Sequence, residues 1–140
     1  MKIKLKKLHK DAVLPNFAHP GDVGLDMYSL EDYELKPGES RVFMTGFAME
    51  FPEGYGAFVM DKSSTSKVKI KTLGGVFDAG YRGEYNANLI NLGLESFSIT
   101  KGQKIAQLVI LPVESPEIEI VEELADSARG EGGFGSTGTH

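Results

Sequence analysis

Five short stretches of this chain concentrate residues able to do chemistry. In LGGVFDAGYRGEY, Asp78 sits between the apolar pair Val76-Phe77 and the turn Ala79-Gly80, so its carboxylate is held at a hairpin junction. A carboxylate placed there can take a proton from water, general-base work worth ~10²–10⁴ in rate. The same residue can instead close an Asx-turn on backbone N–H groups two residues on. Tyr81 is open in the same way, its ring packing on a ligand or on the sheet. DKSSTSK, residues 61 to 67, gathers hydroxyls beside Lys62 and Lys67 at a strand end, a set that suits phosphate oxygens but also reads as a helix N-cap run with solvated lysines.

Two further stretches carry polar groups in constrained places. PGDVGLDMYS has Gly21 and Gly24 around Asp22 and Asp26. Carboxylates beside tight turns can hold a hydrated Mg²⁺, which keeps several waters and takes few protein ligands, or can cap a turn. In KGQKIAQLV, Gln107 is a polar residue inside an apolar strand, and a buried amide must pair with backbone or face a ligand. The end of the chain, RGEGGFGSTGTH, nearly spells a phosphate-cradling loop, with serine where lysine belongs and no helix behind it. It supplies Arg129, glycine N–H groups, Ser136 and Thr137 for phosphate, and Phe134, which has no local packing partner and suits stacking on a base. Five of the ten residues from Arg129 to Gly138 are glycine, whose ordering is costly, so the stretch reads as a mobile tail until a ligand holds it.

The elements that must position these groups are strands. IKLKKL, YELKPGES with its Pro37-Gly38 turn, GFAMEFPEGYGAFVM with a hairpin at Pro52-Glu53-Gly54, KVKIK, EYNANLINL, FSITKGQKIAQLVILPV and EIEIV are short alternating or apolar runs bounded by turn signals. No window keeps a 3.6-residue apolar period, although SSTSKV can form one helical turn. The expectation is an all-β jelly roll or barrel with very little helix, residues 1–128 forming the domain and 129–140 a mobile C-terminal arm. IAQLVILPV, almost continuously apolar, is expected to be buried on both faces, at a subunit contact.

Composition bounds the function. At 140 residues with 41% hydrophobic and 25% charged, the chain fits one soluble domain. The lysine-rich start continues as an alternating strand, not an apolar leader segment, so a cytoplasmic protein is expected, with no membrane partner. Zero cysteines exclude disulfides and thiolate zinc sites, and the three histidines, at 9, 19 and 140, form no H-E-x-x-H. A net charge of −5 argues against nucleic acid as partner, and an anionic substrate would need a local basic cluster, a metal ion, or both.

In this order the five stretches resemble the motifs of the homotrimeric dUTPase family over nearly the whole chain: PGDVGLDMYS the first, DKSSTS the second, GGVFDAGYRGEY the third, KGQKIAQLV the fourth and RGEGGFGSTG the fifth. The resemblance implies a jelly-roll subunit in a threefold trimer, with each active site drawing on all three chains. It implies hydrolysis of dUTP to dUMP and pyrophosphate with Mg²⁺, limiting uracil in DNA and supplying dUMP for thymidylate. On that pattern Asp78 activates water for attack at the α-phosphorus. Mg²⁺ is held mainly by the substrate phosphates, with Asp26 helping through water. Lys62, Ser63, Ser64 and Gln107 serve the phosphate chain, and Gly74, Gly75 and Tyr81 read uracil and pack under deoxyribose. From the tail, Phe134 stacks on uracil while Arg129, Gly135, Ser136 and Thr137 hold phosphates.

Departures from the family pattern bear on rate. Lys62 replaces the usual arginine, exchanging a bidentate fork for a point charge. Gln103-Lys104 replaces an Asp-Arg pair, so a bracing ion pair is expected to be missing. Two rival readings stand beside it: a dCTP deaminase, disfavoured because Asn88 stands where a glutamate must shuttle protons, and a non-catalytic nucleotide-binding trimer.

Overall fold

The computed structural model describes residues 1–135. Among these, strands are β1 (Lys4–Lys7), β2 (Leu25–Tyr28), β3 (Tyr33–Leu35), β4 (Ser40–Met44), β5 (Phe47–Glu50), β6 (Tyr55–Met60), β7 (Ile70–Thr72), β8 (Val76–Phe77), β9 (Asn86–Asn91), β10 (Phe97–Ile99) and β11 (Lys104–Pro112). The helix α1 (Ser63–Ser66) is the single turn that SSTSKV allowed. All strand pairings are antiparallel, in sheets ordered β2-β11-β6-β8, β4-β9-β7, β1-β5 and β10-β3. The all-β expectation holds, but the hydrogen-bonded ladders do not close into one continuous barrel among the described residues.

Alternation explains the layering. In β9 the pattern Asn-Ala-Asn-Leu-Ile-Asn buries Ala87, Leu89 and Asn91 and leaves the residues between them half-buried. Those buried residues join Phe43, Phe47, Met27, Leu35, Ile70, Ile105 and Leu108 in one core. Asn91 is tolerated there because its amide donates to the carbonyls of Leu35 and Glu95 at 2.9 and 2.8 Å and accepts from the Gly93 N–H at 2.9 Å.

Three expectations need correction. EIEIV forms no strand, and residues 111–135 are exposed without exception. β11 is buried only over its first half, at Ile105, Ala106, Leu108 and Val109, and Leu111 is exposed. Asp26 does not lie on a turn; it stands in β2, a strand buried at every position.

Candidate functional site

The sheet β2-β11-β6-β8 carries most of the predicted site, and its register fixes where each group stands. Asp26 on β2 is directly opposite Gln107 on β11, which is opposite Met60 at the end of β6. In a regular strand Lys104 and Gln107, three residues apart, would point to opposite faces. The register of β11 against β2 shifts between Lys104 and Ala106, and such a bulge re-aims side chains so that both can serve one face. The chain leaving β6 turns through Asp61 into α1, which brings Lys62 and Ser63 over the same place.

Together Asp26, Lys62, Ser63, Lys104 and Gln107 line a polar cavity of about 350 Å³, with Ala18, His19, Asp22, Val23 and Gly24 at its margin. Asp26 is only 4% exposed and is held by two ammonium groups: Lys62 Nζ donates to Oδ1, and Lys104 Nζ lies 3.0 Å from Oδ2. Burial pushes the Asp26 carboxyl up, but the two lysine hydrogen bonds outweigh it, and the net shift is downward. Lys104 is raised in turn by its bond to Asp26. The brace expected to be missing is therefore present, as the Lys104–Asp26 pair, while Gln103 Oε1 accepts from the Thr100 N–H at 2.9 Å and closes the preceding turn.

Gln107 takes the backbone pairing its position allowed. Its Nε2 donates to the Asp61 carbonyl at 2.9 Å while its side chain lines the cavity. Gly24 makes this possible, since a Cβ there would lie 2.3 Å from Gln107 Oε1. Asp61 was not singled out from sequence, yet it anchors the turn. Its Oδ1 accepts from the Thr72 N–H and hydroxyl at 2.7 and 2.9 Å, and Lys71 Nζ donates to Oδ2 at 2.8 Å. Burial raises the Asp61 carboxyl, and Lys71 and Thr72 together pull it below the ordinary range. Lys104, not singled out as a site residue, had as its signal its place in the Gln103-Lys104 pair a few residues before Gln107. Ser64 is exposed on α1 and does not line the cavity.

The second group of predicted residues forms a hairpin on β8. Gly74 and Gly75 have φ of +67° and +103°, which favour glycine at both, and a Cβ on Gly75 would come 2.6 Å from Val59 Cβ, so position 75 admits no side chain. The Gly75 carbonyl accepts from the Val59 N–H at 2.8 Å, fastening the hairpin to β6. At the other end the Asp78 carbonyl accepts from the Tyr81 N–H at 3.1 Å. The Asp78 side chain is exposed and accepts no hydrogen bond among the described residues, so the Asx-turn alternative is not what forms. Tyr81 is 39% exposed, its hydroxyl donating to the Glu84 carbonyl at 2.9 Å. Glu84 itself is spent on the Gly46 N–H at 2.9 Å.

Hairpin and cavity lie on opposite flanks of β6. Phe77 pairs with Ala57 and Gln107 with Met60, which separates them by about 10 Å along the strand and about 10 Å across it. Residues 129–135 join neither. Arg129 Nε donates to the Gly132 carbonyl at 2.7 Å within its own turn, and Phe134 is fully exposed. Ser136 and Thr137 lie outside the described residues. Among the described residues no group of three or more His, Cys, Asp or Glu could hold a metal ion, and no helix is long and apolar enough to cross a membrane. A larger concavity, about 670 Å³ along Val68, Lys69 and Leu92 to Phe97, carries none of the predicted residues.

Two ammonium groups, a hydroxyl and an amide share one cavity with the carboxylates of Asp22 and Asp26 on an all-β scaffold, a set able to bind phosphate. Comparison with known proteins agrees. The family model described as dUTPase matches residues 10–138. A deoxyuridine 5′-triphosphate nucleotidohydrolase of Gloeothece citriformis is 46% identical over 141 residues, covering 99% of this chain and 97% of its own. The Staphylococcus bacteriophage 80alpha dUTPase solved with dUPNHPP superposes with a TM-score of 0.93 at 34% identity, covering 99% of both chains. A mutant dUTPase of phage phi11 of S. aureus, described with a structural Mg(II) ion, superposes at 0.82 with 29% identity, over 88% of this chain and 98% of that one. The chain belongs to the dUTPase family, and its four sheets are that family's jelly roll.

Proposed function

We propose that Asp78 activates a water for attack on the α-phosphorus of dUTP, giving dUMP and pyrophosphate, and that the cavity around Asp26 holds the phosphate chain during that step. The chain is an enzyme of the dUTP diphosphatase class; the roles of its residues are what is inferred. The observation that carries the reading is the cavity lined by Lys62, Ser63, Lys104 and Gln107, which supplies cations and hydrogen-bonding groups to a polyanion. Water loses a proton to Asp78 as its oxygen bonds phosphorus, the bond to the bridging oxygen breaks, and pyrophosphate leaves. Lys62 and Lys104 compensate the charge growing on that leaving group, and Ser63 donates to the bridging oxygen. Ser64 lies beside them on α1 as a further hydroxyl for the phosphate chain.

Backbone groups at Gly74 and Gly75 read the uracil edge, and Tyr81 packs under the sugar. The arm, residues 129–140, closes over the site, with Phe134 on the base and Arg129, Gly135, Ser136 and Thr137 on phosphate. Mg²⁺ supplies neutralisation of the phosphates when bound. The donor set fits an ion carried mainly by substrate, because both oxygens of Asp26 already face lysines and leave it a role through water. The enzyme works in the cytoplasm, removing dUTP before it enters DNA and supplying dUMP for thymidylate.

Sites shared between copies in a homotrimer are supported by the separation across β6. A base and a hydroxyl that must meet the same phosphate are more readily brought together from two copies than from opposite flanks of one strand. The exposed apolar residues Ile118, Ile120 and Leu124, alternating with glutamates after β11, are further surface for a second copy to cover. The test is pyrophosphate release from dUTP with Mg²⁺. The wild type is expected to turn over and Asp78→Asn to lose roughly 10²–10⁴ in kcat with its assembly unchanged; an active Asp78→Asn protein would remove Asp78 as the base.

A further inference from the structure

Tyr85 lies four residues beyond Tyr81 in a place no predicted role absorbs. It is completely buried, and its hydroxyl has no hydrogen-bond partner among the described residues. Burial first, and the neighbouring Tyr81 second, push that phenol up to about 12, so it is neutral and inert at working pH. A buried hydroxyl with nothing to bond is a cost the fold carries, and leucine or isoleucine would fill a core position without it. What Tyr85 offers in return is its ring. It is sandwiched between Phe47, at 5.2 Å between centroids, and Phe77, at 4.2 Å, both at 23° interplanar angle. Tyr81 leans on two members of that stack, 5.5 Å from Phe77 and 5.7 Å from Tyr85.

The remaining contacts of Tyr81 fix its tilt but not its depth. Its hydroxyl is tied to the Glu84 carbonyl and is tucked against Gly83, where a Cβ would approach it to 2.4 Å. That pivot holds one end of the ring; the aromatic floor of Phe77 and Tyr85 holds its face. We infer that Tyr85, together with Phe77, is a positioning residue that sets how high Tyr81 stands and thereby the discrimination between deoxyribose and ribose. The inference rests on the reading of Tyr81 as the platform under the sugar. Excluding a single added hydroxyl requires the platform to be held within a fraction of an ångström, because the space it denies is only one oxygen wide. A flat, rigid ring two layers deep does this where a flexible aliphatic chain lets the platform sink.

The experiment compares kcat/KM for dUTP and UTP in the full-length wild type, Tyr85→Leu and Tyr85→Phe, with melting temperatures recorded at equal chain concentration. Tyr85→Leu is expected to raise the UTP-to-dUTP ratio of kcat/KM by about tenfold or more. Tyr85→Phe, which keeps the ring and removes the orphan hydroxyl, is expected to keep the wild-type ratio and to melt no lower. A Tyr85→Leu protein that loses both substrates in equal proportion has only a packing role and overturns the inference, as does a Tyr85→Phe protein with a relaxed ratio. If Tyr85→Leu does not fold, Phe77→Leu, at a half-buried position, decides by the same ratio: a rise supports the inference and an unchanged ratio overturns it. A wild type that hydrolyses neither nucleotide overturns the proposed function instead.

Discussion

Replacing Gly24 by alanine isolates the contact that sets Gln107 in the phosphate cavity. The backbone of Gly24 is not in the left-handed region, so the substitution introduces no conformational strain of its own. The new Cβ, however, would lie 2.3 Å from Gln107 Oε1 and 3.0 Å from its Cβ and Cδ, so rotating the amide alone does not relieve the overlap. The side chain must retreat by about 1 Å, which overpacks its surroundings at ~1–3 kcal/mol. The bond from Gln107 Nε2 to the Asp61 carbonyl, 2.9 Å in the native chain, is then lost at a further ~0.5–1.5 kcal/mol. Gly24→Ala should therefore cost roughly 2–4 kcal/mol, several degrees in melting temperature for a chain of this size. Gln107→Ala alone loses the hydrogen bond, and in the double variant the overlaps with Oε1 and Cδ are gone, leaving only the 3.0 Å approach of the new Cβ to the Cβ of residue 107. Urea unfolding of all four proteins at one chain concentration should give a coupling of ~1–3 kcal/mol, with Gly24→Ala/Gln107→Ala nearly as stable as Gln107→Ala. Additive effects would show that Gly24 acts on something other than Gln107 and refute the reasoning.

The acid limb of stability should report the buried carboxylate between two lysines. Asp26 has a folded pKa below its ordinary 3.8, so its ion pairs contribute in full above that value and are lost as pH falls through the lowered folded one. The stability gap between wild type and Asp26→Asn should narrow as pH drops from about 6 to about 2.5, and a constant gap would deny the pairing. Truncation after Ala128 should leave the jelly roll folded, since residues 111–135 are exposed throughout, while stacking by Phe134 worth ~1–3 kcal/mol is lost. The KM for dUTP should rise by roughly 5–150-fold, and an unchanged KM would return the arm to a mere terminus.

Local chemistry was legible in the sequence and long-range geometry was not. The turn at Ala79-Gly80, the glycine pair before Val76 and the single helical turn of SSTSKV follow from backbone preferences of a few residues, and all three formed. Asp26 read as a turn carboxylate because two glycines flank it; its burial comes from pairing with β11, some eighty residues on, which no local pattern reports. Lys104 was missed for the same reason. Only the register shift after it, visible once β2 and β11 are aligned, turns it toward Asp26. EIEIV has the alternation of a strand and the exposure of a coil, because alternation states a preference for a sheet edge without saying which edge the segment reaches.

The placement of Asp78 and Lys62 on opposite flanks of β6 also bears on heredity. Both residues belong to one gene, but if the hairpin of one copy meets the cavity of another, as proposed, a lesion at each falls in a different half of a shared site. Two alleles that are each inactive alone would then assemble, within one cell, some sites with both halves intact.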